Sequence, residues 1–163
     1  MEILLTNLRA VGERTRLRII ALLGRGELVV TDLVSILGQS QPRVSRHLKI
    51  LMEAGLVERH SEGTWAFFRL SNKGVSGVFV QKIVDNILKE DKTVLSDLRK
   101  LTSVREKRAQ EAISYFEKVA QNWNSIRSLY VSEDRVEEEI AKILKKYTIN
   151  SLLDIGTGTG RIL

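Results

Sequence analysis

Aliphatic residues recur along most of the chain at intervals of three and four, the spacing that lays one side of an α-helix against a core. Ile3, Leu4, Leu8 and Val11 mark a first helix over residues 2–11. Thr15 is placed to cap a second, whose apolar set is Leu17, Ile20, Ala21 and Leu23, with Gly24 and Gly26 ending it. Thr31-Asp32 opens a third with Leu33, Val34, Ile36 and Leu37, closed by Gly38. Ser40 is placed to cap a fourth, with Val44, Leu48, Leu51 and Met52 on one side and Ala54-Gly55 at its end. Pro42 falls in its first turn, where a missing N–H costs little.

The period then drops to two. Leu56-Val57-Glu58-Arg59-His60 and Trp65-Ala66-Phe67-Phe68-Arg69-Leu70 read as strands. Ser61-Glu62-Gly63-Thr64 connects them, with Gly63 free to take positive φ, and Ser71-Asn72-Lys73-Gly74 is a loop. From Val78 the helical period returns in Val80, Ile83, Val84, Ile87 and Leu88. After a polar break at Glu90-Asp91-Lys92, a long helical stretch runs towards residue 129. Its seam begins Leu95, Leu98, Thr102, Arg105 and returns to apolar residues at Phe116, Val119, Trp123 and Ile126. Thr102 and Arg105 argue against a pure coiled coil. One or two amphipathic helices packing on a partner chain or a following domain fit better. Ser132-Glu133-Asp134 caps a further helix with Val136, Ile140, Ile143 and Leu144. Leu152-Leu153-Asp154-Ile155 then reads as a short buried strand before Gly156-Thr157-Gly158-Thr159-Gly160-Arg161. The pattern predicts a mainly α chain with a small β element (α+β).

Composition narrows the chemistry. The 163 residues, 43% hydrophobic and 28% charged, exclude a disordered or fibrous chain. Without Cys there are no disulfides, thiolate metal sites or Cys nucleophiles. A zinc site built on His47 and His60 would need carboxylates to complete it. No apolar run approaches the roughly 18 residues of a membrane span. Met1-Glu2-Ile3-Leu4-Leu5 carries neither a basic segment nor a long apolar one, so no signal peptide is evident and a cytoplasmic location is expected.

The net charge is +6, from 26 Lys+Arg against 20 Asp+Glu. Its placement says more than its size. Residues 1–74 hold 11 basic and 7 acidic side chains, and Arg43, Arg46 and Lys49 form a run with no acid between Gln39 and Met52. Steps of three put these cations on one side of the fourth helix, opposite Val44, Leu48 and Leu51. A helix-turn-helix needs the same division, because its second helix must hide aliphatics while offering hydrogen-bonding groups to the major groove. Residues 28–70 thus read as helix, tight turn at Gly38, basic helix and two-stranded ribbon, the last acting as a wing. Ser40, Gln41, Arg43, Ser45, Arg46 and Lys49 are the expected DNA-binding residues on the helix, with Arg59, Gly63 and Thr64 on the wing. His47 belongs to the same set and has two readings: it bonds a phosphate, or it fixes the basic helix against its neighbour. His60 is expected to be a structural wing residue. Trp65, Phe67 and Phe68 have the chemistry to stack on bases, but alternating burial in the wing explains them more simply.

The run Thr15-Arg16-Leu17-Arg18-Ile19-Ile20-Ala21-Leu22-Leu23, then Asp32-Leu33 and Leu37-Gly38, then Ser40-Gln41-Pro42-Arg43-Val44-Ser45-Arg46-His47-Leu48-Lys49-Ile50-Leu51 and Ala54-Gly55-Leu56-Val57, resembles the ArsR/SmtB family of winged-helix repressors over about residues 3–90. The resemblance implies a homodimer on a palindromic operator, with helices 3–11 and 78–89 at the dimer interface. The stripe 80–88 is either core within the chain or dimer contact, and dimer contact is expected because the winged domain supplies little other core for it. Family members often release DNA on binding metal through Cys, His or Asp ligands. This chain departs from that pattern, with no Cys in the third helix and only Asp85 in the last, so no metal site is expected.

At the C-terminus, a strand ending in Asp154 and followed by Gly156, Gly158 and Gly160 resembles the first motif of class I S-adenosylmethionine-dependent methyltransferases. Glycines there let the backbone approach the cofactor at a strand end. A dinucleotide fingerprint would need Gly where Arg161 stands. The segment Tyr115-Phe116-Glu117-Lys118-Val119-Ala120-Gln121-Asn122-Trp123 looks like the lead-in helix of ubiquinone-biosynthesis-type methyltransferases. Only three residues follow the motif, so the chain is expected to be a truncated version of a regulator–methyltransferase, with Asp154, Gly156, Gly158 and Gly160 a non-functional remnant. S-adenosylmethionine or S-adenosylhomocysteine is implied for an intact version only, and no cofactor or enzymatic activity is expected of this chain.

The organisation expected is therefore a winged helix-turn-helix domain (1–90), a helical connector (91–148) and the truncated start of a Rossmann-like methyltransferase domain (149–163). The function expected is repression by occupying double-stranded operator DNA, two reading helices entering major grooves roughly 34 Å apart. Two rival readings are an enzyme whose winged helix only docks substrate, and a protein-interaction module using the stripe 95–126.

Overall fold

In the computed structural model, residues 1–87, 91–127, 133–148, 151 and 153 are described. The chain folds in the order α1 (Glu2–Val11), α2 (Arg14–Leu23), β1 (Leu28–Val29), α3 (Val30–Leu37), α4 (Gln41–Glu53), β2 (Val57–Glu62), β3 (Trp65–Leu70), α5 (Gly74–Asn86), α6 (Lys92–Arg127) and α7 (Glu133–Leu144).

The helices lie close to where the aliphatic spacing puts them, with two differences at their starts. The cap of α2 is Glu13 rather than Thr15. Its carboxylate accepts from the backbone N–H groups of Thr15 and Arg16 at 2.9 and 3.0 Å, satisfying donors that the first turn leaves free. Thr15 is instead buried. α5 begins at Gly74, four residues before the expected Val78. Gly77 explains how its first turn sits so close to the preceding loop: a Cβ there would lie 2.6 Å from the Asn72 carbonyl carbon.

A strand absent from the pattern reading, β1, makes the expected two-stranded ribbon a three-stranded antiparallel sheet of order β1-β3-β2. Leu28 pairs with Phe68 and Val29 with Phe67. β2 also runs longer than expected. Glu62 pairs with Trp65, leaving Gly63-Thr64 as a two-residue turn with Gly63 at φ +57°.

One aliphatic core joins these elements. α2 touches α1, α4, α5 and β3, so it is buried on more than one side. This is why Ile19 and Leu22, outside the expected stripe, are fully buried beside Ile20. Leu33 and Ile36 of α3, Val44, Leu48 and Leu51 of α4, Leu56, Phe68 and Val80 complete the centre. Truncating one such side chain to Ala costs about 2–5 kcal/mol in a packed interior. Val80 corrects the reading of the 80–88 stripe as dimer contact: it is buried within its own protomer, and Ile83, Val84 and Ile87 pack on the same core. Leu88 lies outside the described residues.

Apolar residues left outside include Ile3, Leu4, Leu5 and Leu8 on α1, and Val75 and Val78 on α5. α1 and α5 are fastened to each other behind this surface by Asn7 and Ser76, which exchange hydrogen bonds of 3.2 and 3.3 Å.

The first of two units spans Met1–Glu106, so residues 91–106, expected to begin a connector, belong with the winged domain. The buried side of α6 there is Val94, Asp97, Leu98, Leu101 and Val104, one position away from much of the expected seam; Thr102 and Arg105 are exposed. Asp91 caps α6 through the N–H groups of Thr93 and Val94. In the second unit α6 runs on to Arg127, with Ile113, Tyr115 and Phe116 exposed, and α7 carries Val136, Ile140 and Leu144 half-buried. The segment 154–163, with Asp154, Gly156, Gly158 and Gly160, lies outside the described residues, as does Leu152. Among the described residues no helix is long and apolar enough to cross a membrane.

Candidate nucleic-acid interface

α3, the turn 38–40 and α4 form the helix-turn-helix. Gly38 ends α3 at φ +65°, ψ +35°, and a Cβ there would meet nothing, so the backbone angle alone favours glycine. Asp32, buried in the first turn of α3, accepts from the Val29 N–H at 3.3 Å and so joins the sheet edge to this helix. Ser40 occupies the N-cap of α4 in extended backbone, but its hydroxyl does not close the cap and remains exposed.

Val44, Leu48 and Leu51 anchor α4 to the core. The opposite side is Gln41, Arg43, Ser45, Arg46 and Lys49, all exposed. Arg43 and Arg46 have no ion pair among the described residues, whereas Lys49 is 3.8 Å from Glu53, both ends open to solvent. Such a surface pair is worth at most about 1 kcal/mol and yields readily to a phosphate. α4 therefore presents cations and amide or hydroxyl groups on one rigid, anchored surface, the combination that reads a duplex groove.

His47 is placed differently from the rest of the set. Its side chain is 14% exposed and its Nδ1 lies 3.5 Å from Glu13 Oε2, at the start of α2. Burial lowers its pKa, Arg16, Arg43 and Arg46 lower it further, and Glu13 opposes them without reversing the direction. Partial burial pushes the Glu13 carboxyl up, but the Thr15 and Arg16 N–H groups, the Thr15 side chain and His47 together hold it below its ordinary value. His47 is thus the one residue of the expected set on α4 that is largely covered and that faces a carboxylate. Gln39, in the turn, adds a second tie by donating from Nε2 to Thr15 Oγ1 at 3.2 Å. Glu13 and Gln39 are absent from the expected set. Glutamate is an uncommon cap, and the Gln39 partner is 24 positions away.

On the wing, Arg59, Gly63 and Thr64 are exposed; Trp65 is exposed too, so the burial expected of Trp65, Phe67 and Phe68 does not extend to it. Phe68 is buried in the core and Phe67 stacks on His60 with ring centres 5.5 Å apart. His60 Nε2 lies 3.1 Å from Glu27, and Arg69 joins Glu27 to Glu58. The Ser71 hydroxyl and Arg69 guanidinium hold Glu58 below the usual carboxylate range. The carboxylates on this side of the sheet are thus engaged by Arg69 and His60, whereas Arg59 of β2 has no ion pair among the described residues. Among the described residues no cluster of three His, Asp or Glu is arranged to hold a metal ion.

Residues 13–59, from the α2 cap into β2, match the model of bacterial regulatory proteins of the arsR family. The arsenical resistance operon repressor of Escherichia coli is 47% identical over 64 residues, which are 39% of this chain and 55% of that protein. The chain thus spans about half the length of that relative. The arsenical resistance operon repressor of Bacillus subtilis is 34% identical over 76 residues, 46% of this chain and 72% of that protein. A solution structure of a homodimeric winged helix-turn-helix DNA-binding domain from Mycobacterium bovis is 29% identical, covering 54% of this chain and 83% of that one with a TM-score of 0.45. This chain belongs to the ArsR family of bacterial regulatory proteins.

Proposed function

We propose that the protein is a dimeric transcriptional repressor that acts by occupying a palindromic site on double-stranded DNA in the cytoplasm. The observation that carries this reading is the exposure of Arg43 and Arg46, which have no ion pair among the described residues, beside Gln41 and Ser45 on a helix anchored by Val44, Leu48 and Leu51. Lys and Arg contacts to phosphate supply affinity and position, while Gln41, Ser45 and one of the two arginines read base edges. Arg59 and the backbone at Gly63-Thr64 reach the adjacent strand.

A second copy of the chain is the natural cover for Ile3, Leu4, Leu8, Val75 and Val78, because a water-exposed aliphatic group of this size marks an interaction surface. Kinship with repressors and the expected pairing of the first and last helices of the domain support this assignment.

The test is salt-dependent binding to the promoter region that precedes the protein's own gene. Wild type is expected to protect a symmetric footprint. The combined Arg43→Ala, Arg46→Ala and Lys49→Ala variant is expected to lose it while keeping its helical circular dichroism. A footprint unchanged by the triple substitution defeats the assignment.

A second reading concerns the C-terminus and rests on sequence alone. We propose that 149–163 carry the first sequence motif of a methyltransferase-like domain, with Asp154, Gly156, Gly158 and Gly160 as the residues a cofactor site would use. Calorimetric titration of the chain with S-adenosylmethionine tests the enzyme alternative. Micromolar binding favours it, and no heat leaves the regulator reading standing.

A further inference from the structure

The start of α2 meets the helix-turn-helix at two points. Glu13 Oε1 accepts from Thr15 N–H at 2.9 Å and Oε2 from Arg16 N–H at 3.0 Å, so the carboxylate is fixed by backbone donors. The same Oε2 lies 3.5 Å from His47 Nδ1, in the middle of the reading helix. Two residues after Glu13, the Thr15 hydroxyl accepts from Gln39, in the turn before that helix. His47 Nδ1 and Gln39 Oε1 are buried atoms with no hydrogen bond at these distances, so neither is solvated as an independent surface group. Arg16 is itself occupied: its guanidinium donates to the Ala10 and Arg9 carbonyls at the end of α1.

Resting on the DNA-binding reading above, we propose that Glu13 and His47 are positioning residues that set the pose of α4 on α2, and that His47 does not itself hold a phosphate. The geometry separates it from its neighbours on α4. Arg43 and Arg46 face solvent, whereas the His47 ring is largely covered and its Nδ1 faces a carboxylate, which repels a phosphate approaching from that side. Because Glu13 is immobilised by two N–H groups, it presents a fixed carboxylate to the covered side of the His47 ring. A side-chain pose fixed in this way carries little entropy cost when DNA arrives. Sequence discrimination depends on placing hydrogen-bonding groups against base edges, so a small rotation of α4 weakens specific binding more than binding to any duplex.

The experiment is a double-mutant cycle on the full chain with Glu13→Gln, His47→Ala and their combination, reading affinity against salt concentration for the operator and for a scrambled duplex. His47→Gln, which retains an N–H donor, guards against a folding defect in His47→Ala. His47→Ala is expected to weaken operator binding about fivefold or more, leave scrambled-duplex binding and the salt slope unchanged, and add nothing in the Glu13→Gln background. His47→Gln is expected to recover most of the loss. A salt slope lowered by about one in His47→Ala marks a direct phosphate contact and overturns the proposal, as do additive effects of the two substitutions. If wild type shows no salt-dependent affinity for either duplex, the DNA-binding reading fails, and the brace loses its role with it.

Discussion

The Arg18 guanidinium holds the Asp97 carboxylate in a bidentate pair across 79 positions of sequence, Nε to Oδ2 at 2.6 Å and Nη2 to Oδ1 at 2.8 Å. Asp97 is 2% exposed, so the pair fastens α6 to α2 inside the winged domain. Three other ties run in parallel: Arg14 donates to the Thr93 hydroxyl, Lys100 to the Ile36 carbonyl and Arg105 to the Arg25 carbonyl. The first half of α6 is thereby part of the winged unit, and through Ile36 it touches the C-terminal end of α3, the first helix of the helix-turn-helix.

Arg18→Ala leaves the buried Asp97 without its partner, a change that costs about 3–5 kcal/mol where the pair is well covered. The urea midpoint is expected to fall accordingly. Replacing both residues by Leu is expected to restore most of it, because the penalty lies in the stranded charge. A midpoint unchanged by Arg18→Ala would show that solvent reaches Asp97 in solution.

On α4, Arg46→Ala and Lys49→Ala are expected to differ in kind. Lys49 is an exposed cation in reach of phosphate, so its removal should weaken all sequences alike and lower the salt slope by about one. Arg46 as a base reader should cost about 1–3 kcal/mol on the operator and relax the preference at one base pair. Competition binding against single-base operator variants distinguishes the two, and uniform losses from both would leave Gln41, Ser45 and Arg43 as the readers.

Much of this interface is visible in sequence because local rules set it. Gly38 supplies the left-handed turn, Pro42 sits where α4 has no bond to lose, and the Val44–Leu48–Leu51 stripe fixes which side faces out. What the sequence conceals is set by partners far along the chain. β1 is only Leu28-Val29, too short for a period, and exists because β3 offers it an edge. The buried side of α6 includes a carboxylate, Asp97, so an apolar-seam reading slides to the neighbouring positions; Arg18 makes that burial tolerable. Val80 reads the same whether it faces its own core or another chain, and only the packing of α5 on α2 and β3 decides it. Glu13 gives no cap signature, and its role depends on His47 and on backbone donors that are free only because a helix begins there.

The exposed side of α1 offers a test of the proposed dimer that leaves the fold of the single chain intact. Ala10, Val11 and Asn7 make the inward contacts, whereas Ile3 and Leu8 are 58% and 48% exposed. Ile3→Glu with Leu8→Glu is expected to shift sedimentation from dimer to monomer with helical content preserved. It should also reduce operator affinity steeply, since one reading helix holds one half-site. A dimer unaffected by both charges places the contact elsewhere.

Acid should act on the α2 cap. The Glu13 carboxyl titrates below its ordinary value of 4.5 in the folded protein, so the folded form binds its proton more weakly than the unfolded chain. The stability it contributes is complete above 4.5 and fades as the pH falls through the lower folded value. Glu13→Gln has no such proton to bind. Wild type is therefore expected to be more stable than the variant by a constant margin near neutrality, about 1 kcal/mol for a typical N-cap. That margin should narrow only below about pH 4.5 as the carboxylate is neutralised. Thermal melts of the two proteins in parallel between pH 7 and pH 3 measure it directly. A margin that stays constant to pH 3 would mean that the Thr15 and Arg16 N–H groups do not depend on the Glu13 charge.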